Sequence, residues 1–181
     1  MPRHVAFLRA INVGGRFIKM AALAEHFRAL GHGGVSTYIN SGNVIFDAPA
    51  RRTDLLAAAL ETALQPRLGF MSEAFVRTPA EVQAVAASAA AQHGAVGPEG
   101  EVNVFFLRQA LTPAQRGAVL ALRSDIDDFV PLERELLWLC GTRQSASKFS
   151  NAALERVLKS RSTARRSSAL QGLAARLAEG G

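Results

Sequence analysis

Two short stretches of the chain carry side chains that can hold a ligand. They are Arg9-Ala10-Ile11-Asn12-Val13-Gly14-Gly15 and Tyr38-Ile39-Asn40-Ser41-Gly42-Asn43. Amide, hydroxyl and guanidinium groups stand there beside glycines that let a ligand approach the backbone. Lys19 follows the first stretch and supplies a compact ammonium. Glycine, lysine and hydroxyl at the opening of a helix suit an anion or a phosphate, because the first backbone N–H groups of the helix lack partners and carry partial positive charge. A third stretch, Ser147-Lys148-Phe149-Ser150-Asn151, places another lysine among hydroxyls. With Arg143 and Arg165 it predicts a second basic pocket, beside a helix capped by Ser145 or Ser147.

The candidate ligand-binding residues are therefore Arg9, Asn12, Gly14, Gly15, Lys19, Tyr38, Asn40, Ser41, Asn43, Lys148, Ser150, Asn151 and Arg165. Several have a plain structural alternative. Ser41-Gly42 also makes a hairpin turn, Arg9 also pairs with Glu73 or Asp47, and Tyr38 also fills a core.

The elements that must position these residues follow from hydrophobic spacing. His4 to Ile11 is an apolar run of strand length. Leu23, Phe27 and Leu30 recur at helical spacing until Gly31 stops them. Val35–Asn40 and Asn43–Asp47 read as a hairpin about Ser41-Gly42. Leu55 to Leu64 reads as a helix ending near Pro66, and Ser72–Val76 as a strand. The order βαββαβ is ferredoxin-like. Thr78-Pro79-Ala80-Glu81 and Thr112-Pro113-Ala114-Gln115 each open a helix with a capping residue, an N-terminal proline and a residue that reaches back. Between them lie a loop over 93–100, predicted to be mobile, and a strand over Val102–Leu107. A hairpin, Phe129–Leu132 with Leu136–Cys140, a helix over Phe149–Leu158, a short strand over Thr163–Arg165 and a last helix complete the pattern.

The fold class predicted is α+β, two ferredoxin-like subdomains in tandem joined by a helix. The first spans 1–77. The second, with the linker helix, spans 78–181. In the first, the sheet order 4-1-3-2 brings the end of strand one, the start of the first helix and the strand two–three turn to one edge. Arg9, Asn12, Lys19, Asn40, Ser41 and Asn43 are expected to form one polar cluster there.

Composition narrows the function classes. No apolar run reaches the roughly 18 residues that span a bilayer. The start, Met1-Pro2-Arg3-His4, leads into a strand-like run and predicts no signal peptide. A single cysteine, Cys140, excludes an intramolecular disulfide and a cysteine cage for metal, and it follows an apolar run that predicts burial. A cytoplasmic location fits. Residues 1–140 carry thirteen basic and thirteen acidic side chains, whereas 141–181 carry eight basic and two acidic, so the whole formal charge of +6 belongs to the last segment. Such a segment attracts polyanions, phosphate metabolites or acidic surfaces. Lysine is rare, three against eighteen arginines, which gives Lys19 and Lys148 added weight.

Familiar catalytic patterns are absent. The sequence holds no Walker loop, no dinucleotide glycine pattern after a strand, no His-Glu-x-x-His and no Gly-x-Ser-x-Gly. His4, His26, His32 and His93 have no ligand spacing, so no metal and no cofactor is called for. Asp127-Asp128 reads as an interruption before a strand. Asn43-Val44-Ile45-Phe46 offers one ring where an RNA-recognition sheet wants two.

The first two stretches, with Lys19-Met20, resemble a bacterial family known as domain of unknown function 1697. Ser147-Lys148-Phe149-Ser150-Asn151, followed by Leu154-Glu155, is similar to a later motif of that family. The resemblance spans nearly the whole chain. It implies an α+β fold with two subdomains and brings no activity, only positions of interest. Near its end the family tends to show Thr-Arg-Asn, an aromatic and Asn-Thr. Thr163-Ala164-Arg165-Arg166-Ser167-Ser168 keeps Thr163 and Arg165 and lacks the rest.

The functional expectation is a cytoplasmic protein that binds a phosphate-bearing small molecule or a nucleic acid and engages no membrane. The alternative is an enzyme on a small anionic substrate, with Lys148 or Tyr38 as acid–base group and Arg9 or Lys19 as charge clamp.

Overall fold

A computed structural model describes residues 1–49 and 52–180. The chain divides into two compact units, Met1–Val82 and Gln83–Gly181. It is a mixed α+β protein with two four-stranded antiparallel sheets.

In the first unit the order is β1 (Arg3–Leu8), α1 (Met20–Ala29), β2 (Gly33–Tyr38), β3 (Asn43–Asp47), α2 (Thr53–Leu68) and β4 (Ala74–Arg77). The sheet runs β2-β3-β1-β4, with Phe7 opposite Asn43 on one side and Phe75 on the other. Side chains alternate across a strand. Ala6, Leu8, Val44, Phe46, Ala74 and Val76 therefore face Leu23 and Phe27 of α1 and Leu56, Leu60 and Leu64 of α2 in one core. The intervening Val5, Phe7, Ile45 and Phe75 are buried too. Burial on both faces explains why β1 reads as a continuous apolar run.

Most element ends lie within two or three residues of those the sequence predicts, and three differences stand out. β1 stops at Leu8, and Arg9 and Ala10 already turn away. α2 continues past Pro66 to Leu68, because a proline in the last turn forfeits one ladder bond only. Gly69 then closes the helix in a left-handed conformation, its N–H donating to the Gln65 carbonyl at 3.0 Å. The 93–100 loop contains a short helix, α4 (His93–Val96), which follows α3 (Pro79–Ala90). The boundary between the units falls inside α3. Its start is a capping box, Glu81 N–H donating to Thr78 Oγ1 and Thr78 N–H to Glu81 Oε2.

The second unit holds β5 (Glu101–Leu107), α5 (Pro113–Leu120), β6 (Asp127–Pro131), β7 (Glu135–Cys140), α6 (Asn151–Leu158), β8 (Ser162–Arg166) and α7 (Ser167–Glu179). Its sheet runs β6-β7-β5-β8, so the last short strand is real and lies beside β5. Phe149 is the hub of the core, with ring centroids 4.7 Å from Phe129, 4.9 Å from Trp138 and 5.8 Å from Phe105. Cys140 is buried in the same core, and desolvation pushes its thiol pKa up. No helix among the described residues is long and apolar enough to cross a membrane.

Candidate functional site

Three connections meet at one end of the first sheet: the β1–α1 loop, the β2–β3 turn and the α2–β4 loop. Hydrogen bonds tie them together. Leu8 N–H donates to the Gly42 carbonyl and Arg9 N–H to the Glu73 carbonyl, both at 2.9 Å. Ser72 Oγ–H donates to the Arg9 carbonyl at 2.7 Å. Arg16 Nη1–H reaches the Met71 carbonyl at 3.3 Å while its guanidinium lies 5.2 Å from the centre of the Phe70 ring.

Asn12 is the centre of this bracing. Its Nδ2 donates to Asn40 Oδ1 at 2.8 Å and to the Asn40 carbonyl at 3.2 Å, and its Oδ1 accepts from Ile18 N–H at 2.8 Å. Asn43 does the same within the hairpin, donating to the Tyr38 carbonyl and to Ser41 Oγ, each at 3.0 Å. Gly42 is required sterically as well as by its φ of 80°. A Cβ there would stand 2.9 Å from Ile11 Cγ1.

The backbone of this edge is unusual. Ala10, Asn12 and Ile39 all have φ between 52° and 58°, the left-handed region that side chains avoid. Ile39 is β-branched, for which that region is a genuine outlier. Strain of this kind persists where surrounding bonds over-determine it, and it clusters at functional sites.

The predicted residues now sort into groups. Asn12 joins Asn40, and Asn43 joins Ser41, through side-chain bonds. Arg9 pairs with Glu73 at 3.8 Å, the structural alternative the sequence left open. Lys19 immediately precedes α1 and is exposed. Its side chain caps nothing and makes no ion pair among the described residues. Gly14 and Gly15 face open space, and Tyr38 is half-buried at the end of β2.

The third stretch is organised differently from the expectation. Ser150, not Ser145 or Ser147, caps α6, its Oγ accepting from Ala153 N–H. Ser147 instead donates to Asp127 Oδ2 at 2.7 Å and accepts from Phe149 N–H at 2.9 Å. Asp127 also accepts from Trp138 Nε1–H and Ser124 Oγ–H, so this buried carboxylate fastens β6 to the segment before α6. Asn151 is bonded to Glu155 and Ser162. Arg165 does not join Lys148 and Arg143 in an exposed pocket. It is buried on β8, bonded to Thr163 Oγ1 and the Ala164 carbonyl at 2.8 Å, and desolvation lowers its pKa to about 10. Lys148 and Arg143 stay at the surface.

The first edge also has an apolar part outside the predicted residues. Val13, Phe17, Ile39 and Met71 are exposed there, Phe17 by 74 %. Apolar side chains inside a glycine-rich loop, where no helix or strand can bury them, are the signal that would have found them.

A family model described as "Protein of unknown function (DUF1697)" matches residues 1–137. The match includes both stretches of the first edge and ends before Ser147. No curated protein matches the chain. Among solved structures, the conserved bacterial protein SP0830 from Streptococcus pneumoniae is similar. The TM-score is 0.75 and the identity 23 %, with 98 % of each chain covered. At that identity the likeness speaks for the fold.

Proposed function

As the chain belongs to the DUF1697 family, whose description carries no activity, we propose from its geometry that it binds a phosphate-bearing ligand, a nucleic acid foremost, at the braced edge of the first sheet. The observation that carries this reading is the state of Lys19. The amides and the carboxylate of this edge are spent on one another: Asn12 on Asn40, Asn43 on Ser41, Glu73 on Arg9. The Lys19 ammonium stands exposed with no partner among the described residues. Phe17 beside it offers a ring face for a base, and base–aromatic stacking tolerates any sequence.

The finer fold reading supports this placement. We read each unit as ferredoxin-like, with divisions at 1–77 and 78–181. The support is the shared sheet order, β4-β1-β3-β2 and β8-β5-β7-β6. A cytoplasmic location fits the lone buried Cys140. The enzyme reading has less behind it. Two hollows of the second unit are lined by neither Tyr38 nor Lys148.

Fluorescence anisotropy with single-stranded RNA and with duplex DNA at two salt concentrations tests the proposal. Binding should weaken steeply with salt, and Lys19→Ala should lower affinity and reduce the slope of log K against log salt by about 1. Absence of binding at low salt, or a Lys19→Ala variant that binds as tightly as the parent, overturns it.

A further inference from the structure

Helix α6 ends differently from its counterpart α2. Gly69 closes α2 at φ 80°, the residue such a left-handed cap ordinarily takes. The corresponding position after α6 is Lys159, at φ 53° and ψ 38°. An L side chain is strained there, and this chain has only three lysines. Attraction between cations and a helix C-terminus explains a basic last turn. It does not explain why the one position that favours glycine holds a lysine.

Lys159 lines a hollow of about 410 Å³ together with Glu155, Arg156, Ser160 and Arg161. Glu155 is the carboxylate of that lining, and it is committed. It accepts from Asn151 Nδ2 at 3.2 Å, from Ser162 N–H at 3.0 Å and from Arg161 Nη1 at 3.2 Å, with its side chain 10 % exposed. Arg156 and Lys159 remain, exposed and without an ion pair among the described residues. A second hollow of about 330 Å³ shares Ser160 and is lined by Leu107, Leu111 and Leu158 together with Arg108 and Gln109, while its Thr112 and Gln115 are spent on the α5 capping box.

We propose that this pair of hollows is a binding site for a small phosphate ester. Arg156 and Lys159 meet the phosphate, the Ser160 hydroxyl turns to it from the Arg161 carbonyl to which it donates at 3.3 Å, and the apolar wall receives the organic part. Two cations without an ion pair among the described residues, offset only by the partial negative charge of the α6 C-terminus, suit a phosphate dianion. The volumes suit a small molecule better than a polymer, which needs a stripe of cations along its backbone. The site belongs to the second unit and is independent of the Lys19 edge.

Two-dimensional ¹H–¹⁵N NMR of the whole chain, titrated with AMP, inorganic phosphate and adenosine, tests it. AMP is expected to shift the amides of residues 156–161 saturably, and adenosine to leave them unmoved. Lys159→Gly is the decisive variant, because the cap position welcomes glycine. Its melting temperature should hold or rise while its affinity for AMP falls by about tenfold. Inorganic phosphate is expected to bind more weakly than AMP, and phosphate binding as tightly as AMP overturns the ester reading, because the apolar wall would then add nothing. Unchanged AMP affinity in Lys159→Gly, equal shifts with adenosine, or no saturable shift with either phosphate probe overturns the proposal.

Discussion

A single asparagine organises the candidate edge of the first sheet. Asn12 spends its amide on both the β2–β3 turn and the approach to α1, from a left-handed backbone that asparagine tolerates better than most residues. Asn12→Ala should lose the bonds and add backbone strain, costing about 1–3 kcal/mol in urea denaturation. Asn12→Gly should lose the bonds without the strain and cost less, and a reversed ranking would refute the account. His32 gives a second expectation at this scale. Its ring meets Phe46 edge-on at 4.9 Å and lies 6.0 Å from Phe27. Burial, with His4 adding repulsion and a hydrogen bond at Asp47 opposing, lowers its pKa below the ordinary 6.5. The unfolded chain then takes up the proton first. The stability this group contributes is fully present above 6.5 and is lost as pH falls through the lower folded value. Denaturation at neutral and mildly acid pH should show that loss, reduced in His32→Phe.

Helix ends were the elements most open to reading, since a cap is a local bond between residues three apart. Thr78–Glu81 and Thr112–Gln115 form as their spacing requires. The cap of α6 is Ser150 and not the expected Ser145 or Ser147, because the three serines look alike in sequence. What separates them is Asp127, distant in the chain, which takes Ser147. The two serines should therefore differ on mutation. Ser150→Ala removes a cap at an exposed position and should cost about 1 kcal/mol. Ser147→Ala removes one of the donors to a buried carboxylate and should cost more, about 1–3 kcal/mol. Equal losses in thermal denaturation would count against Asp127 as the fastening between β6 and the segment before α6.

Over the whole molecule, the formal charge overstates the free charge. Of the eight basic residues after position 140, Arg165 is buried, Arg161 pairs with Glu155 at 3.2 Å and Arg166 with Glu101 at 3.9 Å. Arg176 is engaged as well, whereas Arg143, Lys148, Arg156 and Lys159 stand at the surface without an ion pair among the described residues. If this segment attracts a polyanion, the salt slope should correspond to about four neutralised phosphates, near −0.9 for each on duplex DNA. A slope matching all eight cations would mean that the paired and buried ones open on binding.

Sequence by itself determined the order of the strands and of the longer helices, the α+β class and the family, because periodicity, capping residues and glycine turns act over a few residues and leave a local imprint. It also marked the edge where Asn12 and Asn40 meet, since a hairpin and a β–α loop must end near each other in that strand order. Tertiary structure alone decided what each polar group was for. Arg9 was given to Glu73, Arg165 to the interior and Ser147 to Asp127, while Lys19 was left open. Tertiary structure also set Lys159 in a left-handed cap beside a hollow. Whether a cation is paired, buried or free depends on neighbours far along the chain, and residue type alone carries no record of them.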